Sequence, residues 1–195
     1  MDKFVNNQKY ISIWETAREL FWRHGFRRVT IKEICEKAGV SKMTFYKYFP
    51  DKIELAKTVF INIVNEGIDK FSILMKEDIP ASEKIKKIVL LKAESTNNIS
   101  KEFMEDFYLG SEPELQTFVE EKTTEVWGSL LEDWKKAQAA GVFRKDLKPE
   151  LLLHISLKLV DLLKDEKLNK LYDTPQEFIV EFAKLVAYGI SEPEK

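Results

Sequence analysis

The sequence predicts an all-α protein, and three observations support this fold class. Apolar residues recur at the three- and four-residue spacing of a helix along most of the chain. Capping residues and helix breakers separate these stretches, with seven Gly and six Pro among 195 residues. No alternating run rich in Val, Ile and Thr stands out, so we expect no strands. A hydrophobic content of 44% is enough to bury a core in one or two domains.

The first predicted helix lies before Gly25. Ile13, Ala17, Leu20 and Phe21 form an apolar stripe at helical spacing, and Gly25 is placed to end the helix. The polar residues that precede this helix are expected to be frayed, although such a segment is also able to enter a minor groove as an arm. We expect this helix to pack behind the unit that follows it.

Residues 30–48 predict two short helices around a tight turn. Thr30 with Glu33 three residues later forms a capping box for the first helix. Gly39 supplies a residue that can adopt positive φ between the helices, and Ser41 can cap the second one. This pattern is typical of a DNA-binding helix-turn-helix, in which the second helix enters the major groove. Two short helices around a glycine also occur as an ordinary packing corner.

Charge favours the DNA-binding interpretation over a packing corner. Residues 1–57 contain twelve Lys and Arg against seven acids, a net charge of +5. Since the whole chain carries −2, the remainder carries −7. A cation-rich segment attracts phosphates, whereas the acidic remainder is poorly suited to lie on DNA. We therefore expect nucleic-acid binding at the N-terminal end alone.

The segment GVSKMTFYKYFPDKIEL, preceded by FRRVTIKEI, resembles the N-terminal domain of TetR-type (TetR/AcrR) transcriptional regulators. The resemblance covers roughly residues 9–60 and implies an all-helical homodimer with two parts. The first, residues 1–54, would be a three-helix helix-turn-helix DNA-binding domain. The second, residues 55–195, would be a larger helical domain for effector binding and dimerisation.

By position, the resemblance also implies two sets of DNA-contacting residues. Side chains that would face bases are Lys42, Met43, Thr44 and Lys47. Side chains that would hold phosphates are Thr30, Ser41, Tyr46, Tyr48 and Lys52. Many members have glycine where this chain has Met43, so its long side chain either contacts a thymine methyl group or fills space.

The second part is predicted to contain six helices. A long connecting helix begins after Asp51 and is followed by helices over about 82–97, 101–109 and 114–140. The last two helices, around 151–163 and 178–190, are apolar on nearly every face and must be covered on more than one side. A second copy of the chain would cover them in a four-helix interface, which suits two DNA-binding heads on a palindrome. The alternative is that they are the central helices of a monomeric bundle.

The middle helices are expected to enclose an effector site. Its candidate aromatic residues are Phe103, Phe107, Tyr108, Trp127 and Trp134. Three acids, Glu102, Asp106 and Glu125, would add polar groups and point to a hydrophobic or cationic small molecule. The alternative is that the aromatic residues are ordinary core and that the acids are solvated.

Other function classes find little support in the sequence. His24 and His154 are far apart, and no metal-ligand spacing or phosphate-binding loop surrounds them, so we expect no enzyme, no metal and no cofactor. Cys35, the single cysteine, lies on an apolar helix face and is expected in the core rather than as a redox sensor. The absence of a signal peptide or a membrane-length apolar stretch favours the cytoplasm.

These patterns together predict a ligand-responsive transcriptional regulator. We expect a repressor that binds a palindromic DNA operator as a homodimer and is released by a small-molecule effector. The alternatives are a protein-interaction module that uses the basic end on an acidic partner, and a small all-helical enzyme.

Overall fold

A computed structural model describes residues 7–109, 112–163 and 165–191. Within these ranges it contains ten helices and no strand, apart from an isolated bridge between Phe143 and Ser191. The helices are α1 (Gln8–His24), α2 (Ile31–Ala38), α3 (Lys42–Tyr48), α4 (Lys52–Lys76), α5 (Ala81–Ser95), α6 (Lys101–Tyr108), α7 (Pro113–Ala139), α8 (Pro149–Leu163), α9 (Glu166–Asn169) and α10 (Pro175–Ile190). The all-α prediction is confirmed.

The chain forms two compact units. Unit 1 comprises Met1–Val64 with Asn98–Glu120, and unit 2 comprises Asn65–Asn97 with Glu121–Lys195. The boundaries of these units fall within α4 and α7. The functional division at residues 54 and 55 stays a prediction.

Aromatic side chains dominate the core of unit 1. Phe103 stacks on Phe107 with ring centroids 4.3 Å apart, and Phe107 also contacts Phe60 of α4. The backbone of Ser100 donates a hydrogen bond to the carbonyl oxygen of Trp22 at the end of α1. Helix α6 is therefore part of the same core as the three N-terminal helices.

The core of unit 2 is built around α5, the end of α7 and α10. Its buried residues are Ile85, Val89, Trp134, Ala137, Val142, Phe143, Leu152, Ala187 and Ile190. Trp134 stacks on Phe143 with ring centroids 4.1 Å apart. The backbone of Arg144 donates to the carbonyl oxygen of Ile190, which fixes the end of α10 beside the turn after α7.

Most helix boundaries agree with the predicted start and stop signals. Thr174 caps α10 through the backbone of Glu177, and Pro175 occupies the first turn. The sequence did not predict the short helix α9, which Asp165 caps by accepting from the backbone of Lys167 and Leu168. Of the terminal segment expected to be frayed, residues 1–6 lie outside the described residues, whereas Asn7 caps α1. Residues 110 and 111, between α6 and α7, also lie outside the described residues. No helix within the described ranges has the length and apolarity to cross a bilayer.

Candidate nucleic-acid interface

The corner between α2 and α3 is held by the glycine turn and by α1. Gly39 adopts φ +66°, and the backbone of Val40 donates back to the carbonyl oxygen of Cys35. The Ser12 hydroxyl of α1 donates to the carbonyl oxygen of Ala38 at 3.0 Å. Cys35 is buried and burial raises the pKa of its thiol, which fits a core cysteine rather than a reactive one.

Helix α3 presents one exposed face and one buried face. Phe45 and Phe49 are buried, whereas Met43 is 83% exposed and Tyr46 is 54% exposed. The Ser41 hydroxyl accepts from the backbone of Thr44 and caps the helix at 3.1 Å. The four residues predicted to face bases are therefore grouped on the accessible side of one short, capped helix: Lys42, Met43, Thr44 and Lys47.

The residues predicted to hold phosphates differ in the contacts that their side chains already make within the protein. Thr30 and Ser41 act as N-caps at the starts of α2 and α3, where backbone amides are also directed outward. The Tyr48 hydroxyl donates to Asn7 Oδ1 at 2.9 Å, and the ring of Tyr46 packs edge-on against Phe45. These positions are compatible with phosphate contacts, and those contacts stay predictions.

Lys52 has a structural role that the sequence did not indicate. Its ammonium group donates to the carbonyl oxygens of Phe26 at 2.8 Å and Val29 at 2.9 Å, and lies 4.1 Å from the centre of the Phe26 ring. Burial lowers the pKa of Lys52, while the charges of Glu112 and Asp106 act in the opposite direction. Lys52 thus closes the turn between α1 and α2, and its contact with DNA phosphate stays a prediction.

The same turn is bound by α6 on its other side. The buried carboxylate of Asp106 accepts from the backbone of Arg27 at 2.9 Å and from Arg27 Nε at 2.6 Å. Gly25 adopts φ +77° and ψ 166°, and a Cβ there would lie 2.6 Å from Asp106 Oδ2. A cleft of about 370 Å³ adjoins this contact, lined by His24, Arg27, Arg28, Glu102 and Asp106. This pairing is not predictable from the sequence, because 79 residues separate the partners and neither position carries a local signal.

The five aromatic candidates for the effector pocket are divided between the two units. Phe103, Phe107 and Tyr108 belong to the aromatic cluster of unit 1, where burial raises the pKa of Tyr108 to about 12. Trp134 belongs to the core of unit 2, and its buried indole nitrogen has no hydrogen-bond partner among the described residues. Trp127 is partly buried in α7. Their assignment to a pocket stays a prediction.

The structure explains the positions of the three acids that suggested a cationic effector without a bound cation. Asp106 pairs with Arg27, and Glu125 is an exposed partner of Lys122 at 2.8 Å. Glu102 is exposed at the start of α6 beside Gly25. None of these three carboxylates therefore requires a bound cation to explain its position.

Comparison with known proteins identifies the N-terminal helices. Residues 13–59, which span α1 to the first turns of α4, match the family model of bacterial regulatory proteins of the tetR family. These helices form a TetR-family DNA-binding domain. The match contains the capped corner, the exposed face of α3 and Lys52, so the family assignment and the observed geometry concern the same segment.

Three similar proteins share sequence or fold with this chain. The fatty acid metabolism regulator protein of Bacillus subtilis is 27% identical over 81 residues, which cover 42% of each chain. The match thus spans less than half of that relative. A structure from Rhodococcus sp., assigned to the TetR family, has a TM-score of 0.70 at 18% identity and covers 95% of this chain and 99% of its own. The regulator FadR from Bacillus subtilis, in complex with stearoyl-CoA, has a TM-score of 0.67 at 18% identity and covers 93% and 99%. These structural similarities show a shared fold.

Proposed function

We propose that this TetR-family regulator is a ligand-responsive repressor that binds a palindromic DNA operator as a homodimer and is released by a small molecule. The observation that carries the proposal is the exposed face of α3, where two lysines, a threonine and a methionine are presented by a rigidly capped helix. These side chains supply donors for guanine and apolar contacts for thymine methyl groups. A DNA-bound regulator acts where the chromosome is, so we take its compartment to be the cytoplasm.

Exposed apolar side chains on α8 and α10 support the homodimer. Leu185 is 72% exposed and Tyr188 is 57% exposed on α10, and Leu151 and Leu162 of α8 are also exposed. Single exposed apolar residues are ordinary, but several on the two helices that the sequence marked as apolar on nearly every face favour an interface. A second copy would cover them and would place two α3 helices about one DNA turn, roughly 34–36 Å, apart.

Relatives support a small-molecule effector. One similar protein is a fatty acid metabolism regulator and another was solved with stearoyl-CoA. We therefore take the effector to be a small molecule with a substantial apolar part.

The turn between α1 and α2 offers a route for the response. Within unit 1, Lys52 at the start of α4 and Asp106 of α6 hold the same turn, immediately before the cap of α2. A ligand that favours a different position of α4 or α6 would change how this turn is held and would shift the population of DNA-binding conformers. Coupling of about 1–3 kcal/mol would weaken operator affinity roughly 5- to 150-fold.

Selection of bound sequences from random duplex DNA, at a stated salt concentration near physiological, tests the proposal. We expect an enriched palindrome with half-sites about one turn apart. Lys47→Ala should relax preference at one or two base pairs, whereas Lys86→Ala, the same charge change on an exposed position of α5, should leave the motif unchanged. No enriched motif, together with binding to an acidic protein partner that survives replacement of Thr44 and Tyr46, would instead favour a protein-interaction module.

A further inference from the structure

One peptide unit in the turn between α1 and α2 is held at both of its polar ends. The carbonyl oxygen of Phe26 accepts a hydrogen bond from Lys52 Nζ at 2.8 Å. The N–H of the same peptide unit, which belongs to Arg27, donates to Asp106 Oδ2 at 2.9 Å. A trans peptide unit is planar, and its oxygen and N–H are directed to opposite sides. The two bonds therefore fix the plane of this peptide unit from both sides.

Both groups that hold this peptide unit carry a charge. The ammonium group of Lys52, at the start of α4, contacts the oxygen, which is the negative end of the peptide dipole. The carboxylate of Asp106, on α6, contacts the N–H, which is the positive end. Hydrogen bonds with one charged partner are shorter and about twice as strong as bonds between neutral groups. The turn is thus positioned by charged side chains from two later helices.

The carboxylate of Asp106 is committed to this turn. Its side chain is 3% exposed, and it accepts from Arg27 Nε at 2.6 Å in addition to the backbone bond. Replacement of a buried ion pair by apolar side chains often leaves a protein equally stable, so stability alone does not explain a buried carboxylate at this position. Holding one geometry of the turn is a role that an apolar side chain would not fill.

Close packing also ties α6 to the turn. The ring of Phe26 lies edge-on to Phe107 of α6, with ring centroids 6.4 Å apart. Gly25 approaches α6 so closely that a Cβ there would lie 2.8 Å from Glu102 Cβ. A displacement of α6 would therefore move the turn with it.

The turn leads directly into the start of α2. Thr30, the N-cap of α2, is predicted to hold a DNA phosphate and follows Arg27 by three residues. Val29, just before this cap, is buried, and its carbonyl oxygen accepts from Lys52 at 2.9 Å. Phosphate contacts fix the register of a protein on the duplex. A turn held differently would therefore change where α2 meets the DNA backbone.

We propose that Asp106 is a positioning residue for DNA binding: by holding the peptide unit between Phe26 and Arg27, it places the start of α2 on the DNA backbone. This inference rests on the proposed function, because it assumes that α2 and α3 contact an operator. It goes beyond that function by extending the DNA-binding machinery to α6, which lies outside the matched residues 13–59 and outside the predicted domain 1–54. As a carboxylate, Asp106 acts through the turn and does not itself contact phosphate.

Removal of the Asp106 charge separates positioning from simple electrostatics by the sign of the effect. Loss of a negative charge from unit 1 reduces the repulsion of phosphates and raises affinity for any DNA. Loss of a positioning contact lowers affinity for the operator, whereas binding to unrelated DNA requires no particular register and is retained. The ratio of operator affinity to unrelated-DNA affinity is therefore the quantity to measure.

Fluorescence anisotropy with the full chain, at one salt concentration near physiological, measures this ratio. The two probes are the operator selected from random duplex DNA and a scrambled duplex of equal length. Asp106→Asn keeps the shape of the side chain but replaces one of its two acceptor oxygens by a donor. We expect the ratio to fall roughly 5- to 100-fold, comparable to the loss of the contacts at one base pair. Partial unfolding would lower both affinities by the same factor and leave the ratio unchanged.

Glu102→Gln is the matched control for the charge change. Glu102 is exposed one turn before Asp106 on α6 and lines the same cleft, so its substitution removes the same charge from the same region. Its ratio should equal that of the wild-type protein. Asp106→Glu keeps the charge but displaces the acceptor oxygens by one methylene group, and should lower the ratio by less than Asp106→Asn. Circular dichroism shows which variants are folded, and Asp106→Glu tests the role if Asp106→Asn is not.

The outcomes distinguish this role from the proposed function. A wild-type ratio in folded Asp106→Asn, or in Asp106→Glu where that variant alone is folded, would overturn the role of Asp106. An equal fall in the ratio for Glu102→Gln would also overturn it, because the effect would then belong to the charge of α6 in general. Failure of the wild-type protein to select any operator would reject the proposed function, and this role with it. An operator that all variants bind with the wild-type ratio would reject the role alone.

Discussion

Lys52 in unit 1 and Lys92 in unit 2 both have a lowered pKa, and they differ in the acceptors that surround them. Burial lowers the pKa of both lysines. Lys52 is compensated by the carbonyl oxygens of Phe26 and Val29, by the Phe26 ring, and by the charges of two acids. Lys92 has none of these within the described part of unit 2.

This difference separates a lysine that completes the fold from one whose ammonium group has no acceptor among the described residues. The contacts of Lys52 fix a turn next to the DNA-binding helices, where a single geometry is needed. A desolvated ammonium group without an acceptor carries a free-energy cost that the rest of the fold must offset. The region around Lys52 should therefore be sensitive to substitution, and the region around Lys92 should be tolerant of it.

The largest effect is expected from breaking the turn that Lys52 and Asp106 hold. Gly25→Ala places a side chain in a backbone conformation that is essentially restricted to glycine, and its Cβ would lie 2.6 Å from Asp106 Oδ2 and 2.8 Å from Glu102 Cβ. We expect a loss of about 2–4 kcal/mol in the free energy of unfolding, measured by urea denaturation.

Gly39→Ala is the matched control for this variant. Gly39 also has positive φ, at +66°, but its conformation is the ordinary left-handed one, and a Cβ added there would meet no atom within 4 Å. Its loss should be roughly 1–2 kcal/mol, from backbone strain alone. Equal losses for the two variants would mean that the contact between the turn and α6 adds no constraint.

The same substitution at the two lysines should have opposite consequences. Lys52→Met removes the donors to two carbonyl oxygens of buried residues and should lower the free energy of unfolding by about 1–3 kcal/mol. Lys92→Met removes an unpaired desolvated charge and should leave stability equal to, or higher than, that of the wild-type protein. Urea denaturation of both variants at neutral pH measures the contrast.

Lys84→Met provides the control within unit 2. Lys84 lies on the same helix as Lys92 and is buried, but it donates to the carbonyl oxygen of Met75. We therefore expect it to behave like Lys52 and to lower stability when it is replaced. A destabilised Lys92→Met would show that this lysine supports the fold and would remove the contrast between the two regions.

The smallest effect is a pH dependence specific to Lys92. Because burial lowers its pKa below the ordinary 10.5, both folded and unfolded states are protonated at neutral pH and the folded state carries the full desolvation cost. As pH rises through the folded-state pKa toward 10.5, the folded state releases its proton first and the cost disappears. The stability difference between Lys92→Met and the wild-type protein should therefore shrink from pH 7 toward pH 10.5. Urea denaturation at several pH values measures it, and a constant difference would argue against a desolvated ammonium group.

Local signals are sufficient for most of the helices. The sequence marks Thr30 and Ser41 as capping residues, and each accepts the expected backbone hydrogen bond in the structure. Gly25 and Gly39 end α1 and α2 with positive φ as expected. Such predictions succeed because a cap or a glycine turn depends on residues within three or four positions along the chain.

Residues of the candidate sites are predictable to different degrees. The face of α3 follows from helical spacing, since Phe45 and Phe49 are buried and the positions between them are not. The sequence analysis assigns Asp106 to the acids of the predicted effector pocket. In the structure its carboxylate instead pairs with Arg27, which lies 79 residues away along the chain. Nothing in the sequence distinguishes Lys92, because one lysine among many carries no pattern of its own.

The helices, the capped DNA-binding corner and the polarity of charge can all be predicted from the sequence, because each depends on spacing and composition along the chain. Tertiary structure decided which charges are satisfied: Lys52 by the α1–α2 turn, Asp106 by Arg27, and Lys92 by no described residue. The physical reason is that the cost of burying a charge depends on the acceptors that the fold brings within about 3 Å of it, and these come from distant parts of the chain.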